Sequence, residues 1–180
     1  MRATLASLLL STTGLCLIAG AAVAEEVEFP TRQPGMWEIQ ADQGQAGAPN
    51  MSIKACIDEA SDKQMMAAGL SMSKSMCSEQ TMTKDGDSLV IDATCQIAGM
   101  STKSHTVMSG DFQSSYQVVT TSEVSGMPSI PGMPSGPTTM TQTATGKGPD
   151  CTDGLKPGDM LMPGGMKVNV TDMMKMMGGG

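Results

Sequence analysis

The sequence predicts a mainly β fold: an antiparallel, strongly bent sheet or small barrel with one short helix inserted after its second strand. Three observations carry this reading. Apolar residues alternate with polar ones in four separate runs, the period of a half-buried strand. Glycine and aspartate stand between neighbouring runs, where tight turns need them. One stretch alone has the chemistry of a helix start.

The first strand covers residues 36–41, with Trp37, Ile39 and Ala41 on one face; the second covers 51–57, with Met51, Ile53, Ala55 and Ile57. Asp58 can then cap a helix, Glu59 and Asp62 complement the positive end of its dipole, and Gly69 can close it after about three turns at most. The clearest strand is 88–97, where Leu89, Ile91, Ala93, Cys95 and Ile97 alternate with polar residues. Asp85-Gly86-Asp87 joins it to a strand at 81–83, and Gly110-Asp111 joins the run 106–109 to a strand over 112–124. A near-repeat of Gly-Met-Pro-Ser between Gly126 and Pro137 excludes a central strand and reads as a long hairpin loop. The threonine-rich stretch 137–147 returns as a strand, since β-branched side chains suit a pleated surface.

The two ends of the chain differ from this middle. Residues 1–24 have Arg2, an apolar stretch and the small-x-small end Ala22-Val23-Ala24, the pattern of a signal peptide cut before Glu25. Leu15 precedes Cys16 where a lipoprotein signal needs a small residue, so Cys16 leaves with the signal. The rest reads as a mature domain over 25–151, exported to a bacterial periplasm or secreted, with no membrane span of its own. Residues 152–180 are broken by Gly and Pro and end in Met173-Met174-Lys175-Met176-Met177 and three glycines. They read as a flexible Met/Gly-rich tail, its part beyond Asp153 dispensable for folding.

Composition narrows the function. Without Arg2, ten basic residues face 18 acidic ones, a net charge of −8 that suits neither nucleic acid nor an anionic membrane. Four cysteines remain, an even number in an oxidising compartment, and they read as two disulfides with three pairings open. Folding the chain about Gly86 sets Cys77 opposite Cys95, which predicts Cys77–Cys95 and leaves Cys56–Cys151. One difficulty attaches to that register: it puts Glu79 and Thr81 on the apolar face of Ala93 and Ile91.

At Pro34-Gly35-Met36-Trp37-Glu38 and in the order Cys56, Cys77, Cys95, Cys151, the chain resembles the exported bacterial family labelled domain of unknown function 3617. The resemblance covers roughly residues 34–151 and implies a periplasmic, mainly β, disulfide-bonded domain. It brings no assigned activity and no catalytic residues. The family's pattern ends near its last cysteine, so a function located in the tail would not follow from it.

Enzymatic chemistry has little support. His105 is the only histidine, and Lys103-Ser104-His105-Thr106 reads as an exposed strand with no catalytic signature. No phosphate-binding glycine motif occurs. Trp37 and Tyr116 could line a ligand cavity, but in a chain with so few aromatics they read first as core. Methionine fills 20 of 180 positions, and it is the one feature that could carry chemistry. Met51, Met82, Met108 and Met140 read as core fillers. Met173, Met174, Met176 and Met177 could offer thioethers to Cu(I) or act as a sink for oxidants. The expected function is a non-enzymatic binding or interaction module without a cofactor, its partner an unknown protein or small molecule. The alternatives are a copper-binding or oxidant-buffering protein working through its tail, and a carrier of small apolar ligands.

Overall fold

Period-two runs need partners for their backbone groups, and a computed structural model shows where they find them. It describes residues 27–44, 51–97, 99–126 and 136–176. The expected signal peptide, most of the Gly-Met-Pro-Ser loop and Met177 lie outside the described residues. The elements are β1 (Gly35–Asp42), β2 (Met51–Ile57), α1 (Glu59–Met76), β3 (Cys77–Asp85), β4 (Ser88–Ile97), β5 (Met100–Gly110), β6 (Ser115–Ser125), β7 (Thr138–Gly148), β8 (Asp159–Leu161), β9 (Lys167–Asn169) and α2 (Val170–Met176). All nine strands form one antiparallel sheet in the order β3-β4-β5-β6-β7-β1-β2-β8-β9. It is an open sheet with two edges, and of the two architectures expected the closed barrel is not adopted.

Alternation assigns the faces. Trp37, Ala55, Ile57, Leu89, Met108, Tyr116 and Ala144 point to one side, where Met65 of α1 and Met82, Ile91, Val118 and Met160 of the strands pack with them. Aromatic contact concentrates at the middle: the rings of Phe112 and Tyr116 stack at 4.9 Å, and Trp37 lies tilted at 5.6 Å from Tyr116. Methionine therefore supplies much of the bulk that Leu and Phe give other cores. Met108 is buried and Met140 half-buried as expected, whereas Met51 is exposed, because it opens β2 opposite Ala41, where the core ends. A smaller cluster of Met36, Cys56 and Leu155 occupies the other face at the β1–β2 end.

The inserted helix extends further than its sequence signals suggest. Asp58 caps it as expected, accepting from the Ser61 N–H at 2.7 Å while the Ser61 hydroxyl accepts from the Asp58 N–H. Yet it runs through Gly69 to Met76, for 18 residues. Gly69 faces open space, and a glycine inside a helix costs only about 1 kcal/mol among formers such as Ala67, Ala68 and Leu70. At about 27 Å long, α1 crosses the sheet and touches β2 near one end and β3 and β4 near the other.

Two local departures have clear causes. Opposite Cys95 the ladder shifts by a residue between Cys77 and Glu79, so that Glu79 pairs with Thr94 rather than sharing the apolar face with Ala93. This bulge removes the difficulty in the hairpin register. The strand expected from Phe112 begins instead at Ser115, because Phe112 takes a φ of 56° in the β5–β6 turn. Asp111 organises that turn by accepting from the Ser114 hydroxyl and the N–H groups of Ser114, Ser115 and Gln113, which holds its carboxyl well below the usual carboxylate range.

The segment expected to be a flexible tail is folded as far as Met176, and the boundary placed after Cys151 is corrected accordingly. Residues 159–161 add β8 to the free side of β2, and β9 follows. Leu155, Asp159 and Val170 are buried. The sequence conceals this because three-residue strands show no periodicity; what holds them is a polar lock. Asp159 accepts from the Asn169 amide at 2.7 Å, the Lys156 N–H at 2.9 Å and Lys167 Nζ at 2.8 Å. Burial opposes charge on Asp159, but these donors prevail and bring its pKa down to about 2.

Candidate interaction site

Ahead of β1, residues 27–33 run across the core side of the sheet as a strap. Val27 and Phe29 pack on the core; the Gln33 N–H donates to the Phe112 carbonyl, and Gln113 donates to the Thr31 carbonyl. Arg32 fastens the strap to α1. Its Nε donates to Asp62 Oδ1 at 2.8 Å, its second guanidinium arm donates to the same oxygen at 2.5 Å, and its backbone N–H reaches Asp62 Oδ2 at 3.1 Å. The remaining arm donates to the Tyr116 hydroxyl at 3.3 Å, so strap, helix and sheet meet at one buried ion pair. Side-chain exposure is 4% for Arg32 and 2% for Asp62, which makes the pair the most deeply buried charge interaction among the described residues.

Beyond Asp62 no residue of α1 is fully buried, and the helix leaves clefts along its length. One of about 430 Å³ lies between the strap and α1, with Phe29, Pro30, Met66 and Leu70 in its walls. A second, also about 430 Å³, lies between α1 and β3, walled by Leu70 and Lys74 on the helix and by Cys77, Gln80 and Met82 on the strand. Val27 and Leu70 border both, so the two clefts are neighbours along α1, the second reaching the sheet edge. A third cleft, about 680 Å³, opens on the strap's other side against the β3–β4 and β5–β6 turns.

β3 is an edge strand: it pairs with β4 on one side, and among the described residues nothing pairs on the other. The two-residue turn after Asp85 makes Asp85–Ser88 the first hydrogen-bonded pair, so Thr83 and Thr81 bond β4 and the peptide groups of Lys84, Met82 and Gln80 face outward. The groove thus combines a row of free backbone donors and acceptors with an apolar helix wall. Strand addition in other proteins uses that combination, backbone bonds for affinity and alternate side-chain pockets for specificity.

The residues singled out from sequence fall in several places. Cys56–Cys151 and Cys77–Cys95 are the observed disulfides. Trp37 is 1% exposed, with its indole N–H on the Gln33 carbonyl, and both it and Tyr116 belong to the core rather than to a cavity wall. His105 lies on the exposed face of β5, 2.7 Å from Asp92 on β4. Of the tail methionines, Met173, Met174 and Met176 sit on a helix instead of a free chain: Met173 and Met174 are half-buried, while Met176 is 82% exposed. Sequence reasoning missed Arg32. One signal was available, since Arg32 is the only arginine after residue 24 in a chain otherwise furnished with lysine, and buried pairs favour the guanidinium fork.

Fold and site together define a disulfide-bonded, open antiparallel sheet crossed by one helix, with a groove where the helix meets an edge strand. The chain belongs to the family described as protein of unknown function (DUF3617), whose model matches residues 32–151. The match begins at the arginine of the buried pair and ends at the last cysteine, so β8, β9 and α2 lie beyond it. No curated protein and no solved structure matches the chain significantly. Among the described residues, no helix is long and apolar enough to cross a membrane.

Proposed function

We propose that this protein is an exported, non-enzymatic interaction module that takes an extended segment of a partner protein into the α1–β3 groove, where it adds a strand to β3. The observation that carries this is the coincidence of the unpaired β3 edge with the groove under Leu70 and Lys74. Leu70 and Met82 offer an apolar wall there, and the unbranched thioether of Met82 adapts to different apolar side chains at little cost. Lys74 adds a preference for an acidic residue in the partner segment. Two disulfides and the signal-like sequence at residues 1–24 support a periplasmic or extracellular location.

Selection from a random peptide display library tests the proposal. Enriched peptides should carry apolar residues at alternate positions, and Gln80→Pro should weaken them at least about tenfold. Proline there removes an outward N–H and obstructs an added strand, while leaving the ladder to β4 intact. No enrichment over an unrelated protein, or peptides indifferent to Gln80→Pro, would contradict it.

A further inference from the structure

The two disulfides occupy different chemical surroundings, and we infer that Cys77–Cys95 is a thiol–disulfide exchange site while Cys56–Cys151 is structural. Cys56 is 0% exposed and packed with Met36 and Leu155. A thiolate cannot reach it from solvent. Attack on Cys151 instead would expel Cys56 as a thiolate into apolar surroundings, which oppose that charge. Cys77 faces the groove between α1 and β3, and both Cys77 and Cys95 are only half-buried. Lys74 lines the same groove and places a positive charge beside an incoming thiolate. The Ser73 hydroxyl, which donates to Gln80 Oε1 at 3.1 Å, lies 3.5 Å from Cys77 Sγ and can turn its proton to that sulfur once it is a thiolate.

The co-reactant is a dithiol. One of its thiolates attacks Cys77 Sγ; the Cys77–Cys95 bond breaks as the mixed disulfide forms, and Cys95 leaves as a thiolate that takes up a proton. The second thiol of the reductant then attacks the mixed disulfide and expels Cys77, which is protonated in turn. Two electrons and two protons have passed, leaving two cysteine thiols here and a disulfide in the donor.

The fold is arranged to survive this. Cys77 and Cys95 are 18 residues apart in a hairpin whose ladder continues from Glu79–Thr94 to the turn without them. Cys56 and Cys151 are 95 apart and tie β2 to the chain after β7. Opening Cys77–Cys95 releases the start of β3, the wall of the groove. The exchange stands independently of peptide binding, since it needs only access to Cys77.

Graded dithiothreitol on the folded protein, with alkylation and peptide mapping, tests the inference. Cys77–Cys95 should open at least about tenfold faster than Cys56–Cys151, with the circular dichroism of the sheet retained. Two variants name the attacked sulfur. With oxidised glutathione, Cys77 in Cys95→Ser should form the mixed disulfide faster than Cys95 does in Cys77→Ser. Both disulfides opening together, Cys56–Cys151 opening first, or equal glutathionylation of the two variants would overturn the assignment.

Discussion

Arg32 and Asp62 make a small contact with large leverage, because each is the other's charged partner at a site closed to water. Arg32→Ala or Asp62→Ala should therefore cost about 3–5 kcal/mol in denaturant unfolding, whereas Arg32→Met combined with Asp62→Leu should lose far less. Equal losses in the single and paired variants would show that the apolar packing, not the stranded charge, dominates. Asp159 gives a pH signature. Its pKa falls from the ordinary 3.8 to about 2 on folding, so its contribution is complete above the unfolded value and disappears as pH drops through the folded one. Thermal midpoints between those values should fall less steeply with acid in Asp159→Asn than in the native protein. At this scale the sequence was partly legible. Asp58 announced itself as a cap by its position, but Arg32 and Asp62 are 30 residues apart, and no local pattern joins them.

Among the elements, the segment after Cys151 marks the limit of pattern reading. Its strands are three residues long, too short to alternate, and its Gly-rich turns look the same in a folded segment as in a free one. Tertiary contacts decide the matter: Leu155 and Val170 are buried, and burial of each side chain is worth about 1.5–3 kcal/mol. Deleting residues 154–180 should therefore lower stability by about 3 kcal/mol or more, measured by urea unfolding, in place of the neutral effect that composition suggests. Helix α1 repeats the lesson in milder form. Gly69 is a plausible stop by local rules, yet the residues around it favour helix and the continuation brings Leu70 and Lys74 opposite β3. The β-bulge beside Cys77 lay in the sequence only as a conflict, an acidic residue assigned to an apolar face, and the shift of register is how the chain resolves it.

For the molecule as a whole, alternation and turn chemistry sufficed to read the antiparallel sheet, since β1, β2, β4 and β6 each have several residues committed to one face. Whether the sheet closes is not a local property, and neither is which strand ends up at the edge. The long cross-link is also a whole-molecule property. Cys56→Ser with Cys151→Ser should lose about 4–5 kcal/mol through the freedom restored to the unfolded chain over a separation of 95 residues. The functional reading depends on the edge that remains open. Amide hydrogen exchange along β3 examines it most directly, with and without a peptide taken from the display selection. In the free protein, Thr81 and Thr83 should be protected while Gln80, Met82 and Lys84 exchange fast; the peptide should then protect Gln80, Met82 and Lys84 as well. A peptide that binds and leaves those three amides unprotected would contradict strand addition as the way this protein holds its partner.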